Sequence, residues 1–382
     1  MLRDTRVEIN LSHIRENMMK IRHALPETVK LMAVVKADGY GHGDVASAQM
    51  AKQAGADLLA VAYLNEALRL RANGIEMPIL ILTPINPQEV MFALEHQFML
   101  TVTSASWFEE MRAYKHCSTV NKLQVHVKMD TGLGRIGIQS KEEWDELVPW
   151  LQAEDVIVDG FYTHFATAGK ADTSFLRQQH ARFIEMMEWS KASGLKVNSY
   201  HCAGSAAALR FPELGMDMVR IGAAMFGFYP EQLVDTVKLK PALSLRSNIM
   251  QVKLLHKGEC IGYDNSYRAD EDQWIGTVPI GYADGWSQSM RGTEMLVQGE
   301  RTPIVGKICM DQLMVRLHGP CELGTEVTLI GSQGDDQITF AELAAHLGSV
   351  SQEISTSISP RVTRIYKNEG RYDGYETITN HH

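Results

Sequence analysis

The chain has little cysteine, no long apolar run and no excess of positive charge, and each shortage closes off a class of function. Five cysteines in 382 residues (Cys117, Cys202, Cys260, Cys309 and Cys321) stand without a C-x-x-C pair. That spacing fits reduced thiols, not a disulfide framework or a zinc site, and no metal is expected. Acidic residues outnumber basic ones by 46 to 37, giving a formal net charge of -9. Such a balance argues against nucleic acid or an anionic membrane as the main partner. The opening Met1-Leu2-Arg3-Asp4-Thr5-Arg6 has no apolar signal core, and the longest apolar runs are too short to span a bilayer. A cytoplasmic protein is the expectation.

What remains is ordinary for a soluble enzyme of about two to three domains. Through about residue 225, apolar runs suited to strands alternate with amphipathic helical stretches. The strand candidates are residues 31–37, 58–63, 79–83, 99–103, 123–129, 156–164, 197–202 and 218–221. Helical patterns between them include 66–72, 142–152 and 174–191. Strands too apolar to have a wet face need helices on both sides, and eight such units predict an α/β fold with a closed (β/α)8 barrel. An open doubly wound sheet fits the count of eight less well. From about Lys238 strands dominate, at 249–255, 274–280, 295–297, 304–309, 313–317 and 327–330. Turns are expected at 298–301 and 331–334, and Thr339-Phe340-Ala341-Glu342 reads as a capping box before one short helix. The expected domains are therefore a barrel over 1–237, its first strand able to pack with the second domain, and a mostly β domain over 238–382.

The most informative stretch is Val34-Val35-Lys36-Ala37-Asp38-Gly39-Tyr40-Gly41-His42-Gly43. A buried strand delivers Lys36 into a pocket whose walls lower its pKa and leave the amine nucleophilic, as condensation with a carbonyl requires. The glycines allow close approach to an anion such as a phosphate. Barrel active sites lie at the C-terminal ends of strands. Lys36, the segment Lys128–Arg135, His164, Ser205 and Arg220 all fall at such ends.

The decamer resembles the pyridoxal phosphate lysine motif of bacterial alanine racemases, and the resemblance covers nearly the whole chain. It implies a racemase that interconverts L- and D-alanine with bound pyridoxal phosphate, as a homodimer, supplying D-alanine for peptidoglycan. Lys36 would serve one face of the substrate. Tyr263, in Gly262-Tyr263-Asp264-Asn265-Ser266-Tyr267, would serve the other from the partner subunit. Arg220, in Met218-Val219-Arg220-Ile221-Gly222, resembles the arginine that bonds the pyridine nitrogen. An arginine does not give up its proton, so the cofactor is a weakened electron sink suited to plain proton exchange. His164 resembles the group linking the tyrosine toward Arg220. Arg135, in Lys128-Met129-Asp130-Thr131-Gly132-Leu133-Gly134-Arg135, would meet the cofactor's phenolic oxygen and the substrate carboxylate. Lys128 resembles a lysine that is often carbamylated. Phosphate contacts are implied for Tyr40, Ser205 and the amides of Gly222 and Ala223. The Met310 amide, in Ile308-Cys309-Met310-Asp311-Gln312, would hold the substrate carboxylate. Asp311 and Tyr282, in Ile280-Gly281-Tyr282-Ala283-Asp284-Gly285, would line the entrance.

Three positions depart from the family pattern. Pro360 stands where most members have a tyrosine, Gly204 replaces an asparagine, and Asp264 follows Tyr263 where glycine is usual. A roomier pocket follows, in which serine or another small amino acid competes with alanine. A non-catalytic pyridoxal phosphate carrier is a rival reading, although it would leave Tyr263 and Met310 without a role. A decarboxylase on the same barrel is opposed by Arg220. A kinase is excluded by the lack of a His-Arg-Asp loop, an Asp-Phe-Gly segment and a glycine-rich loop upstream of Lys36.

Overall fold

The computed structural model describes residues 3–115, 121–229 and 237–368, together with the backbone of 371–376. Cys117 lies outside them, and Cys202, Cys260, Cys309 and Cys321 are free thiols. The chain forms two compact units, one of Ile14–Gly39 and Asp44–Lys240, the other of Met1–His13, Tyr40–Gly43 and Pro241–His382. Strand β1 (Arg6–Asn10) belongs to the latter.

The first unit is built on eight parallel strands. They are β2 (Lys30–Val34), β3 (Leu58–Val61), β4 (Ile79–Ile81), β5 (Met99–Val102), β6 (Leu123–Lys128), β7 (Val156–Tyr162), β8 (Tyr200–His201) and β9 (Met218–Ile221). Each pairs with the next as far as β8, and β9 pairs back onto β2 from Lys30↔Met218 to Ala33↔Ile221. Backbone bonds from Asp217 N to Tyr200 O (3.1 Å) and Arg220 N to Ala203 O (3.0 Å) span the last gap, leaving a nearly closed barrel. Strands β3, β5 and β9 are buried at every residue, the pattern of parallel strands covered on both faces. Helices cover them through large side chains. Trp144 meets Phe161 of β7 edge-on, and Phe161 stacks on Phe183 of the helix Ser174–Ala192, each pair at 5.7 Å. Such aromatic pairs contribute about 1 kcal/mol each beyond their burial. Among the described residues no helix is long and apolar enough to cross a membrane.

The second unit is built on an eleven-stranded sheet, with a separate two-stranded one in which Cys260–Ile261 pairs with Tyr267–Arg268 on either side of Tyr263. Within the larger sheet β1 lies between Leu243–Asn248, antiparallel, and Thr363–Asn368, parallel. Three sequence expectations need correction here. The strand expected over 304–309 is Glu300–Val305, because Gly306 at φ +72° turns the chain and frees 308–311 to form a loop. The turn expected over 298–301 is only Gln298 and Gly299, since Val297 pairs with Glu300. The turn expected over 331–334 begins later, the strand Glu326–Gln333 running on to pair with Asp336–Ile338. The Thr339 cap is present, its Oγ1 accepting from Glu342 N at 3.1 Å, and a second helix, Ser351–Ser357, follows.

Candidate active site

Lys36 leaves β2 and is followed by a turn rare for side-chain-bearing residues. Ala37, Asp38, Gly39 and Tyr40 all lie at φ between +52° and +58°. Left-handed backbone costs about 1–2 kcal/mol for each non-glycine residue, so the surroundings must impose it. They do. Ala37 N donates to Glu66 Oε1 at 2.7 Å, Gly39 N to Val35 O at 2.9 Å, and Arg69 pairs with both Asp38 (3.6 Å) and Asp44 (3.2 Å). Lys36 is half-buried, and its amine is pushed below the usual lysine range by burial and then by Arg135, with Glu66 opposing. The neutral amine is thereby favoured.

Arg220 is the hub of the barrel's polar interior. Its Nη1 donates to His201 Nδ1 at 2.7 Å, and its Nη2 donates to Thr163 O (2.7 Å) and His164 Nδ1 (3.1 Å). Among the described residues no carboxylate bonds it, and this buried guanidinium faces neutral acceptors. The donor logic then propagates. His201 accepts at Nδ1, so its proton sits on Nε2, which lies 2.9 Å from His126 Nδ1. His126 must accept there and carry its own proton on Nε2, which finds no partner among the described residues. Burial and the Arg220 charge hold His164 and His201 well below the ordinary imidazole range. His126 is pushed down to about 4, chiefly by burial. Three neutral histidines thus serve one obligate cation.

Lys128 ends β6 and is buried, with Nζ donating to Met129 O at 2.9 Å and lying 5.1 Å from the Tyr162 ring centre. Burial, Arg220 and Arg135 bring it down to about 7 against the pull of Asp130. Arg135 is exposed on the loop that follows. Asp130 shapes that loop by accepting from Gly132 N (2.9 Å) and Gly134 N (3.1 Å). At the barrel's last strands Ser205 Oγ accepts from Gly222 N (3.0 Å) and Ala224 N (3.3 Å), while Ala223 opens the 3-10 turn Ala223–Phe226. Amides gathered on one hydroxyl form a donor set suited to an anion. Tyr40 is pushed up to about 12 by burial, so its phenol stays protonated.

The second unit carries the other expected residues, and leaves large ones bare. Tyr263 is 67% exposed, Met310 53% and Tyr282 45%. Asp264, at φ +58°, pairs with Lys307. Asp311 accepts from Arg361 Nη2 at 2.7 Å, beside Pro360.

The sequence matches the alanine racemase N-terminal domain over residues 9–230 and the alanine racemase C-terminal domain over 242–366. It is 45% identical to the alanine racemase of Geobacillus kaustophilus (strain HTA426) over 95% of this chain and 94% of that one. The chain belongs to the alanine racemase family. Its fold is likewise that of the family. The crystal structure of alanine racemase from Bacillus anthracis with bound L-Ala-P superposes with a TM-score of 0.96 at 42% identity, covering 98% of both chains. Histidine racemase from Leuconostoc mesenteroides shares the architecture at a TM-score of 0.84 and 32% identity, covering 96% of this chain and 98% of that one.

Against the alanine racemase pattern, Gly204 has a visible consequence. A Cβ built there would lie 3.0 Å from His164 Cε1 and 3.6 Å from Nδ1. The asparagine expected at this position would press on the ring that Arg220 holds. Residues missed from sequence include Glu66, His126 and His201. The two histidines sit inside apolar strand runs, where the pattern reads them as core, and only strand pairing brings them to Arg220.

Proposed function

We propose that this member of the family interconverts L- and D-alanine with bound pyridoxal phosphate, using Lys36 and Tyr263 as its two proton-handling groups. The observation that carries the reading is the pairing of a half-buried Lys36, its amine biased toward neutrality, with an Arg220 hub that offers N–H donors and no acid. The donor set fits the cofactor, which when bound supplies a conjugated sink for the electrons left as the α-proton departs. Ser205 and the amides of Gly222 and Ala224 suit its phosphate, with Tyr40 and Ala223 as further contacts. Arg220 suits an unprotonated ring nitrogen, because it can donate but not protonate. Lys36 Nζ takes or returns the proton on one face of Cα, and Tyr263 Oη does so on the other. His164, with its proton on Nε2, is the group placed to support the tyrosine. Arg135 and the Met310 amide receive the substrate carboxylate. None of the described residues accepts from Met310 N–H, which supports that role.

Lys128 is suited to carbamylation, being a buried amine brought to about 7 among cations. An added negative charge there would face Arg135 and Arg220. The exposure of Tyr263, Tyr282 and Met310 supports a homodimer whose sites are shared between chains. D-alanine made in the cytoplasm would then feed peptidoglycan.

Incubation of the pyridoxal phosphate-loaded protein with L-alanine in D₂O tests the reading. Deuterated D-alanine is expected, and bound cofactor without exchange would favour a carrier instead. Pro360 and Gly204 favour a second reading, a racemase that also takes serine. The histidine-named relative shows that the architecture is not confined to enzymes named for alanine. A parallel incubation with L-serine decides it.

A further inference from the structure

The three loops that carry Tyr282, Met310 and Pro360 meet on one buried carboxylate. Asp284 has a fully buried side chain. Arg3 grips it with both arms, Nη1 to Oδ1 and Nη2 to Oδ2 at 2.6 Å each, while Nη2 also reaches Pro279 O at 2.8 Å. Gly281 N donates to Oδ2 at 3.0 Å, closing the turn on which Tyr282 sits. Arg361 Nε lies 3.3 Å from Oδ1, and its Nη2 bonds Asp311. The Asp284 carbonyl accepts from Ser359 N at 3.0 Å, one residue before Pro360.

This knot reaches Met310 through the backbone. Tyr282 N donates to Cys309 O (3.1 Å) and Ala283 N to Met310 O (3.0 Å). The approach is so close that a Cβ at Gly281 would lie 2.2 Å from Cys309 O and 2.4 Å from Met310 O. The orientation of the Met310–Asp311 loop is thus set by the Gly281–Asp284 turn, and that turn is set by Asp284 and its two arginines. A two-armed grip fixes direction as well as distance, which one point charge does not.

We propose that Asp284, clamped by Arg3 and Arg361, is a positioning residue for substrate carboxylate binding, acting through the loop that presents the Met310 amide and Asp311. This rests on the reading in which Met310 N–H meets that carboxylate. No proton passes through Asp284. Its effect falls on binding the carboxylate, not on the Lys36 end of the reaction.

The test uses the loaded enzyme and the variants Arg3→Ala, Arg3→Lys and Asp284→Asn. KM and kcat for L-alanine are measured beside the Ki of propionate, which keeps the carboxylate and lacks the amine, and beside the absorption spectrum of the bound cofactor. Arg3→Ala and Asp284→Asn are expected to raise KM and the propionate Ki together by about tenfold, with kcat changed less than about threefold, as for a lost binding interaction. The spectrum should not move. Arg3→Lys should recover part of the loss. If Asp284→Asn does not fold, the two Arg3 variants decide. Wild-type racemisation with KM and Ki unchanged in Arg3→Ala overturns the proposal, as does a loss falling mainly on kcat. A wild-type protein that exchanges no α-proton of alanine overturns the underlying functional reading instead.

Discussion

Replacing His126 with asparagine removes a titrating group while leaving an oxygen to accept from His201 Nε2. In the native barrel His126 is held at about 4, against 6.5 for an ordinary imidazole. Burial is the main cause, with the Arg220 charge adding to it and Asp159 opposing. Because the folded value is the lower one, the unfolded chain takes up its proton first as pH falls. The stability from a neutral His126 is present above 6.5 and is lost as pH falls through about 4, levelling off below that. Linkage puts that loss at about 2 kcal/mol by pH ~5 and about 3 kcal/mol by pH ~4. His164 and His201 lose stability in the same direction. Urea unfolding followed by circular dichroism at pH ~8 and pH ~5 should therefore show His126→Asn losing about 2 kcal/mol less than the wild type between the two conditions. The variant's absolute stability is immaterial to the comparison. Equal losses in the two proteins would refute the assignment of a neutral, proton-excluding His126.

The proposed sharing of sites between two chains predicts complementation. Lys36→Ala and Tyr263→Phe should each be inactive, and a refolded equimolar mixture should regain about one quarter of wild-type activity, since half the dimers are mixed and each holds one intact site. No recovery in a mixture shown to exchange subunits would argue against sites built from two chains. For Lys128, ¹³C NMR in labelled bicarbonate should show a carbamate carbon that is absent from Lys128→Ala, and the variant's kcat/KM should fall by about tenfold or more. Spectra that do not differ would sink the carbamate. Pro360→Tyr should lower the serine-to-alanine ratio of kcat/KM by about tenfold, in line with what small changes in pocket volume achieve. An unchanged ratio would remove Pro360 as a specificity determinant.

The barrel was legible because its physics is local. Runs such as Leu58–Val61 and Met218–Ile221 are apolar for the same reason that they are buried on both faces, and the lysine at the end of β2 announces itself through its glycine-rich neighbours. What was not legible depends on pairing between distant segments. His126 and His201 are ordinary strand histidines until β6, β7 and β8 align them. Arg3 and Asp284 are both common surface residue types, and nothing in either neighbourhood predicts their union. The left-handed run at Ala37–Tyr40 was equally hidden, because alanine and aspartate do not choose that conformation. Glu66 and Arg69, supplied by a later helix, impose it.

The place of β1 also governs the order in which the molecule can be assembled. Arg6 pairs with Arg246 on one side and with Thr363 on the other, so β1 takes both neighbours from segments made more than two hundred residues later. During synthesis the barrel segment emerges while β1 waits with both edges open. An open edge of this kind is a template for wrong pairing. Its alternation of charged Arg6 and Glu8 and polar Asn10 with buried Val7 and Ile9 keeps one face of the waiting strand polar. A chain ending before Thr363 would leave one edge of β1 permanently bare. The sheet is therefore finished on that side only when Thr363–Asn368 pairs with β1.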